Sequence, residues 1–99
     1  MNASRPIVPM IDGASLIAAE RARQVTEESH DTLTDMRHTQ EELVEGAIVY
    51  AAFDRSTTVH LWPAALGEFK PGSPIKNLKR AGALLAAEID RRLARGETE

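Results

Sequence analysis

The stretch from Thr39 to Asp54 constrains the fold of this chain more than any other part of the sequence. Thr39 and Glu42 have the spacing of a capping box, in which each side chain satisfies the backbone N–H of the other residue. At 100° per residue the stretch is apolar around most of its circumference, and only Glu45 and Ala52 are predicted to point to water. We therefore predict that it is the central helix of a small bundle. The apolar residues are Leu43, Val44, Ala47, Ile48, Val49, Tyr50, Ala51 and Phe53.

Two further helices are predicted on either side of this one. Asp12 is suited to cap a first helix over residues 13–29, and Ser73 with Pro74 is suited to begin a third helix over residues 74–95. The central helix is predicted over residues 40–54. The predicted buried side of the first helix consists of Ala14, Ile17, Ala18, Ala22 and Val25. Gln24 and Glu28 lie at the edge of that side, so both are predicted to lie near the seam between helices.

The third helix combines an aliphatic repeat with small residues. Gly82 costs roughly 1 kcal/mol of helix propensity relative to alanine, which predicts a close helix contact at this position. The residues that recur every three or four positions are Ile75, Leu78, Gly82, Leu85, Ile89 and Leu93. The basic residues predicted to stay solvated are Lys76, Lys79, Arg80, Arg91, Arg92 and Arg95.

The remaining segments are predicted to be irregular. The chain divides into an extended or frayed segment over residues 1–11, one helical domain over residues 12–95 and a disordered tail over residues 96–99. The connection over residues 55–72 is interrupted by proline and glycine, with one short helical turn around residues 64–68. Trp62 is predicted to anchor this connection to the bundle. The predicted fold is all-α: a small three-helix bundle with a long Trp-containing connection before the last helix.

Composition limits both the core and the classes of function. Ninety-nine residues with two Phe, one Tyr and one Trp make a thin core, so a homodimer would bury an otherwise exposed face. The absence of cysteine excludes disulfides and thiolate zinc sites. No apolar run approaches the roughly 20 residues of a membrane span, and we expect a cytoplasmic protein with no membrane contact. With a net charge of −3 and no dense basic stripe, direct nucleic-acid binding is not expected.

Polar residues of the first two helices and their loop form the candidate binding pocket. If these helices are antiparallel neighbours, Glu28 and Glu42 approach each other, with Asp35 and His38 above them and Gln24 one turn away. Carboxylate oxygens suit Mg²⁺ or Mn²⁺, which makes Glu28, Asp35 and Glu42 the candidate metal ligands. The structural alternative is that Glu42 serves only as the acid of the capping box. No metal or cofactor is otherwise expected.

Two partial motifs leave further alternatives open. Glu42 and Glu45 supply half of the Glu-x-x-Glu and Glu-x-x-Asp pattern of MazG-like nucleotide pyrophosphohydrolases, but Glu88 and Asp90 have the wrong spacing for the other half. Trp62 completes the candidate pocket, because an aromatic plate beside the Lys70-Pro71 pair could hold a base or a phosphate. We favour the structural alternative for Trp62, in which the ring packs on the core.

The chain resembles a group of small phage and prophage proteins without a settled function. The likeness spans residues 19–93 and rests on an ordered series of short motifs. In this sequence the motifs are Glu20-Arg21, Gln24, Glu28, Asp35, His38, Glu42-Leu43, Tyr50-Ala51, Trp62-Pro63, Lys70-Pro71, Arg80-Ala81-Gly82-Ala83-Leu84 and Ala87-Glu88-Ile89. The chain departs from the pattern at Ser29, His30, Thr34 and Glu41, which puts the family pocket in doubt.

The resemblance implies a phage-related accessory protein that binds a protein partner. Inhibition of a host defence system, as an anti-CRISPR protein does, is one specific form of this function. The alternative is a Mg²⁺-dependent nucleotide pyrophosphohydrolase or a nucleotide-binding protein that uses Glu28, Asp35, His38 and Glu42. The sequence favours the non-catalytic function.

Overall fold

A computed structural model describes residues 11–27, 40–53 and 61–99. This part of the chain contains three α-helices, α1 (Gly13–Glu27), α2 (Gln40–Ala52) and α3 (Pro74–Ala94), and one 3-10 turn (Ala64–Leu66) between α2 and α3. The described residues contain no strand. The predicted all-α three-helix bundle is therefore confirmed. None of the helices in these ranges is long and apolar enough to cross a membrane.

Local capping chemistry begins α1 and α3 where the sequence predicted. The Asp12 carboxylate accepts the backbone N–H of Ser15 at 2.8 Å, and the Ser73 hydroxyl accepts the backbone N–H of Lys76 at 3.2 Å. Each side chain satisfies an N–H that has no partner inside the first turn of its helix. Thr39 lies outside the described residues, so the capping box of α2 stays a prediction.

A glycine-based motif ends α3. Gly96 has a φ of 94°, and its N–H donates to the Leu93 carbonyl at 3.0 Å, while the N–H of Glu97 donates to the Arg92 carbonyl at 3.1 Å. This pair of bonds is the Schellman motif, which requires a residue in the left-handed region. The predicted division into domain and tail stays a prediction, but Gly96 and Glu97 take part in closing the helix.

The helix that contacts both of the others is α3, and the prediction that α2 is central was wrong. Within the described ranges, α1 and α2 each pack against α3 and not against each other. Gly46 of α2 lies beside Leu84, whereas Tyr50, one turn later, lies under Arg80, so α2 runs antiparallel to α3. The physical reason is the lack of bulk in α3, where small residues let two helices approach on two sides. These small residues are Ala81, Gly82, Ala83, Ala86 and Ala87.

The predicted close contact at Gly82 is confirmed. A Cβ atom at this position would lie 2.5 Å from Cδ1 and 2.7 Å from Cγ1 of Ile17 on α1. No side chain fits in that space, so glycine is the residue that permits α1 to dock with Ile17 against the α3 backbone. The helix-propensity cost of Gly82 is thus explained by packing.

The buried side of α1 differs from the predicted one. Ala14, Ala18, Ala22 and Val25 are exposed, and the fully buried residues of the helix are Glu20 and Gln24. Alanine faces have little apolar area to remove from water, so they gain little by burial. The opposite face instead offers polar bonds to α3, including the ion pair between Arg21 and Asp90 at 3.2 Å. The prediction that Gln24 lies near a helix seam was correct.

Several predicted exposures on α2 and α3 were also wrong. Ile48 and Ala51 are exposed, while Glu45 and Ala52 are partly buried. Arg91 is buried and Arg80 partly buried, because both guanidinium groups find partners inside the bundle. Most of the aliphatic repeat of α3 is uncovered. We call its exposed members the aliphatic row, which consists of Ile75, Leu78, Leu85, Ile89 and Leu93.

The Gly82→Ala substitution is expected to destabilise the protein by about 1 kcal/mol. Overpacking costs roughly 1–3 kcal/mol, and the better helix propensity of alanine returns roughly 1 kcal/mol. Chemical denaturation of Gly82→Ala, Ile17→Ala and the double variant measures the coupling, and the double variant should lose less stability than the sum of the two single variants. Gly13→Ala is the control, because nothing lies within 4 Å of a Cβ placed there. If the stability losses of the two single variants added up in the double variant, the contact between Gly82 and Ile17 would be contradicted.

Candidate functional site

An aromatic cluster fastens the long connection to the bundle. The Tyr50 ring of α2 lies 5.3 Å from the Trp62 ring and 4.9 Å from the Phe69 ring, measured between centroids. The indole N–H of Trp62 donates to the Gly67 carbonyl at 2.8 Å, which turns the connection back on itself. Gly46 leaves room for the indole, since a Cβ atom there would lie 3.2 Å from it. The prediction that Trp62 is an anchor that packs on the core is confirmed.

Arg80 joins this aromatic cluster to α1. Its guanidinium lies 5.8 Å from the centre of the Tyr50 ring and donates a hydrogen bond to the Lys70 carbonyl. The backbone N–H of Lys70 donates in turn to the Tyr50 hydroxyl at 3.1 Å. On its other side, Nε of Arg80 lies 3.9 Å from the Glu20 carboxylate, and this buried N–H has no hydrogen-bond partner among the described residues.

Glu20 and Gln24 make up the polar half of the same region. The Glu20 carboxylate accepts two hydrogen bonds from Arg23, at 3.0 and 2.7 Å, and one from the Gln24 amide at 3.4 Å. Burial raises the pKa of this carboxyl, but the hydrogen bonds from Arg23 and the nearby charge of Arg80 hold the pKa below its usual value. The Gln24 Oε1 atom is buried and lacks a partner in the described part of the chain.

A second buried ion cluster lies near the end of α3. Glu88 accepts two hydrogen bonds from Arg91, both at 2.9 Å, and one from Arg92 at 2.7 Å. The hydrogen bonds from Arg91 are the main cause that lowers the pKa of Glu88, while burial opposes this shift and Arg92 adds to it. A carboxylate held in this way is an ionised structural group and a poor general acid.

The structure brings the predicted pocket residues together only in part. Gln24 lies in the polar region and Trp62 in the aromatic cluster, and Arg80 with Tyr50 links the two. Glu42 is partly buried near the start of α2. The prediction placed Glu28, Asp35 and His38 in the same pocket, and these three lie outside the described residues. Since α1 and α2 are not in contact in the described ranges, the assumption that they are antiparallel neighbours was wrong there.

The metal prediction rests on residues that are not described. Within residues 11–27, 40–53 and 61–99, no group of three or more His, Cys, Asp or Glu side chains is placed to hold a metal ion. Of the candidate ligands, only Glu42 falls in these ranges. The Mg²⁺-dependent pyrophosphohydrolase therefore stays a prediction, as does the alternative that Glu42 is a helix-capping acid.

An apolar groove opens between the end of α2 and the start of α3. We define the apolar groove by its lining, which is Ile48, Ala51, Ala52, Pro74 and Leu78, with Tyr50 and Asn77 at its polar edge. Asn77 fixes the adjoining turn, because its amide oxygen accepts the Gly72 N–H at 2.7 Å and its amide nitrogen donates to the Gly72 carbonyl at 3.2 Å. This groove was not predicted from the sequence, because Ile48 and Ala51 were expected to lie in the core. The exposed apolar side of α2 was the signal that could have revealed it.

Comparisons with known proteins give no relative for this chain. No protein-family model, no curated protein and no solved structure matches it. The resemblance to small phage and prophage proteins therefore stays a prediction from the sequence motifs.

The ion cluster at Glu88 predicts a specific dependence of stability on pH. Because the pKa of Glu88 is lowered by folding, its ion pairs stabilise fully above the unfolded value of about 4.3 and are lost as the pH falls through the folded value. At neutral pH, Glu88→Gln should cost about 3 kcal/mol, since it removes the carboxylate that accepts two hydrogen bonds from the buried Arg91. Below pH 4.3 the difference from wild type should shrink. Denaturation curves over this pH range measure both effects.

Glu97→Gln is the matched control for this substitution. Glu97 is largely exposed, its ion pairs with Arg92 and Arg95 are 3.6 and 3.9 Å long, and solvent-exposed pairs of this kind contribute little to stability. If Glu88→Gln and Glu97→Gln had equal and small effects, the structural role of Glu88 would be refuted.

Gln24→Met is expected to leave stability unchanged or to raise it by up to roughly 1 kcal/mol. The substitution keeps the volume and removes the buried Oε1 atom that lacks a hydrogen bond, while Glu20 keeps both bonds from Arg23. Gln24→Glu is the contrasting variant, because it places a second carboxylate beside Glu20 and should destabilise. Thermal melts at neutral pH compare the two variants. A large loss in Gln24→Met would contradict this expectation, because it would show that the 3.4 Å bond from the Gln24 amide to Glu20 outweighs the cost of the unbonded Oε1 atom.

Proposed function

We propose that this protein acts by binding another protein in the apolar groove, without catalysis of its own. The observation that carries the proposal is the exposure of aliphatic side chains in a concave site: Ile48 on one wall is 45% exposed and Leu78 on the other is 55% exposed. Contiguous exposed apolar surface of this kind is typical of protein interaction sites. A groove between two helices suits a helix or an extended segment that inserts aliphatic side chains.

The charge around the groove indicates the chemistry of the partner. Residues 70–80, which lead into and begin α3, contain four basic residues and no acidic one. The N-terminus of α3 adds the positive end of its helix dipole. The bases are Lys70, Lys76, Lys79 and Arg80, of which Arg80 is engaged inside the bundle. We therefore propose a partner segment in which carboxylates flank the aliphatic side chains that enter the groove.

Several described carboxylates are bonded to arginines of the same chain, and this supports a binding role over a catalytic one. Glu20 and Glu88 are each held by arginines of the same chain, and Asp90 bonds to Arg21. Their lone pairs are engaged in holding helices together, so they contribute to a rigid scaffold for the groove. The sequence resemblance extends the proposal to a phage-type accessory protein that acts in the cytoplasm, with inhibition of a host defence component as its specific form.

Ile48→Glu tests the groove. We expect tagged wild-type protein to capture an acidic partner from bacterial lysate, and the binding of that purified partner to weaken more than tenfold in Ile48→Glu. A glutamate in the groove would be desolvated by aliphatic side chains and would face the partner's carboxylates. Quantitative mass spectrometry identifies the captured protein, and calorimetry with the purified partner measures the affinity.

Leu61→Glu is the matched control, because Leu61 is 40% exposed and is not part of the groove lining. It introduces the same charge at a similar exposure and should bind like wild type. Binding to the partner should also weaken as salt rises, since the proposed contacts include ion pairs. A partner that binds Ile48→Glu as tightly as wild type would refute the groove as the site.

A further inference from the structure

α3 packs against α1 and α2 on two sides, and a third side is apolar and exposed. α2 packs against the side with Ala81, Leu84 and Ala87, which share one buried cluster with residues of α2, and α1 packs at Gly82. The third side is the aliphatic row, whose five members are between 46% and 65% exposed. An amphipathic helix normally buries its apolar side against a neighbour. The row therefore has the composition of a helix–helix interface that lacks one helix.

The spacing along the middle of the row is the same in both directions. Leu78, Gly82, Leu85 and Ile89 are separated by four, three and four residues. When two copies of α3 are laid side by side in opposite directions, Leu78 falls opposite Ile89 of the second copy. Leu85 then falls opposite Gly82 of the second copy, where Ile17 of α1 fills the space beside the glycine and presents an aliphatic side chain. The row is thus complementary to itself.

The charges beside the row favour the same arrangement. At 100° per residue, Lys79 and Asp90 lie along one edge of the row, and Arg92 lies along the other edge. Antiparallel pairing about a two-fold axis brings the same edge of each copy together. Lys79 then approaches Asp90 of the second copy near each end of the pair, and Asp90 retains its bond from Arg21.

We propose that the aliphatic row is the interface of a homodimer in which the two α3 helices pack antiparallel about a two-fold axis near Gly82 and Leu85. A helix of 21 residues gives a contact about 30 Å long. Each copy contributes the same row, as required of an isologous interface. The dimer covers Leu78, which also lines the apolar groove, and leaves Ile48, Ala51 and Pro74 of the groove exposed.

The oligomeric state of the Leu85→Glu variant tests the interface. We expect light scattering coupled to size-exclusion chromatography to give twice the monomer mass for wild type, and the monomer mass for Leu85→Glu at the same concentration. Leu61→Glu, which places the same charge at a similarly exposed position outside the row, should stay dimeric. Circular dichroism of each variant confirms that the helices are intact. A monomeric wild type, or a dimeric Leu85→Glu variant with native helix content, would overturn the proposal.

Engineered cysteines test the direction of pairing, because the chain has no cysteine of its own. Leu78→Cys and Ile89→Cys are mixed in equal amounts, allowed to exchange subunits, and exposed to a mild oxidant that joins two thiols as a disulfide. Antiparallel pairing should yield mainly the mixed disulfide between the two variants, and an affinity tag on one variant gives the two chains different masses, since leucine and isoleucine are isomers. Disulfides mainly between two copies of one variant, or none between the two variants, would overturn the antiparallel arrangement.

Discussion

The close approach of two helices to the small residues of α3 is the constraint on which the rest of the structure depends. Gly82 admits Ile17 of α1 at a distance that would leave no room for a Cβ atom. Ala83 and Ala87 are completely buried against other elements. Because these residues fill little volume, the helices approach until backbone and side chain are in contact, and a chain with few aromatic residues still forms a packed core.

Ion pairs and hydrogen bonds hold the α1–α3 contact together, because the apolar core there is thin. The α1–α3 seam is held by Ile17 together with the ion pair of Arg21 and Asp90, and by the carboxylate of Glu20 between Arg23 and Arg80. Buried ions must be paired to be tolerated, and removal of one partner leaves an uncompensated charge. The position of α1 therefore depends on geometry that a small change in one side chain would disturb.

The distribution of aliphatic side chains on α2 and α3 explains the two surfaces proposed for binding. α2 and α3 carry more aliphatic side chains than their mutual contacts cover, which leaves the apolar groove at one end and the aliphatic row along the outer side of α3. The groove is concave and adjoins a basic segment, so it suits a different protein. The row is nearly straight and repeats in both directions, so it suits a second copy of the chain.

The sequence alone determined where α1 and α3 begin and that Gly82 and Trp62 make close contacts. Capping depends on residues three positions apart, and a glycine or tryptophan in such a context has few structural explanations. Only the tertiary structure decided that α3 is central and that α1 turns Glu20 and Gln24 inward. Glu20 and Arg80 are far apart in the sequence, and an alanine-rich face gains too little by burial to fix its own orientation. The arrangement of the site therefore depends on which face of each helix gains more free energy by burial in the bundle.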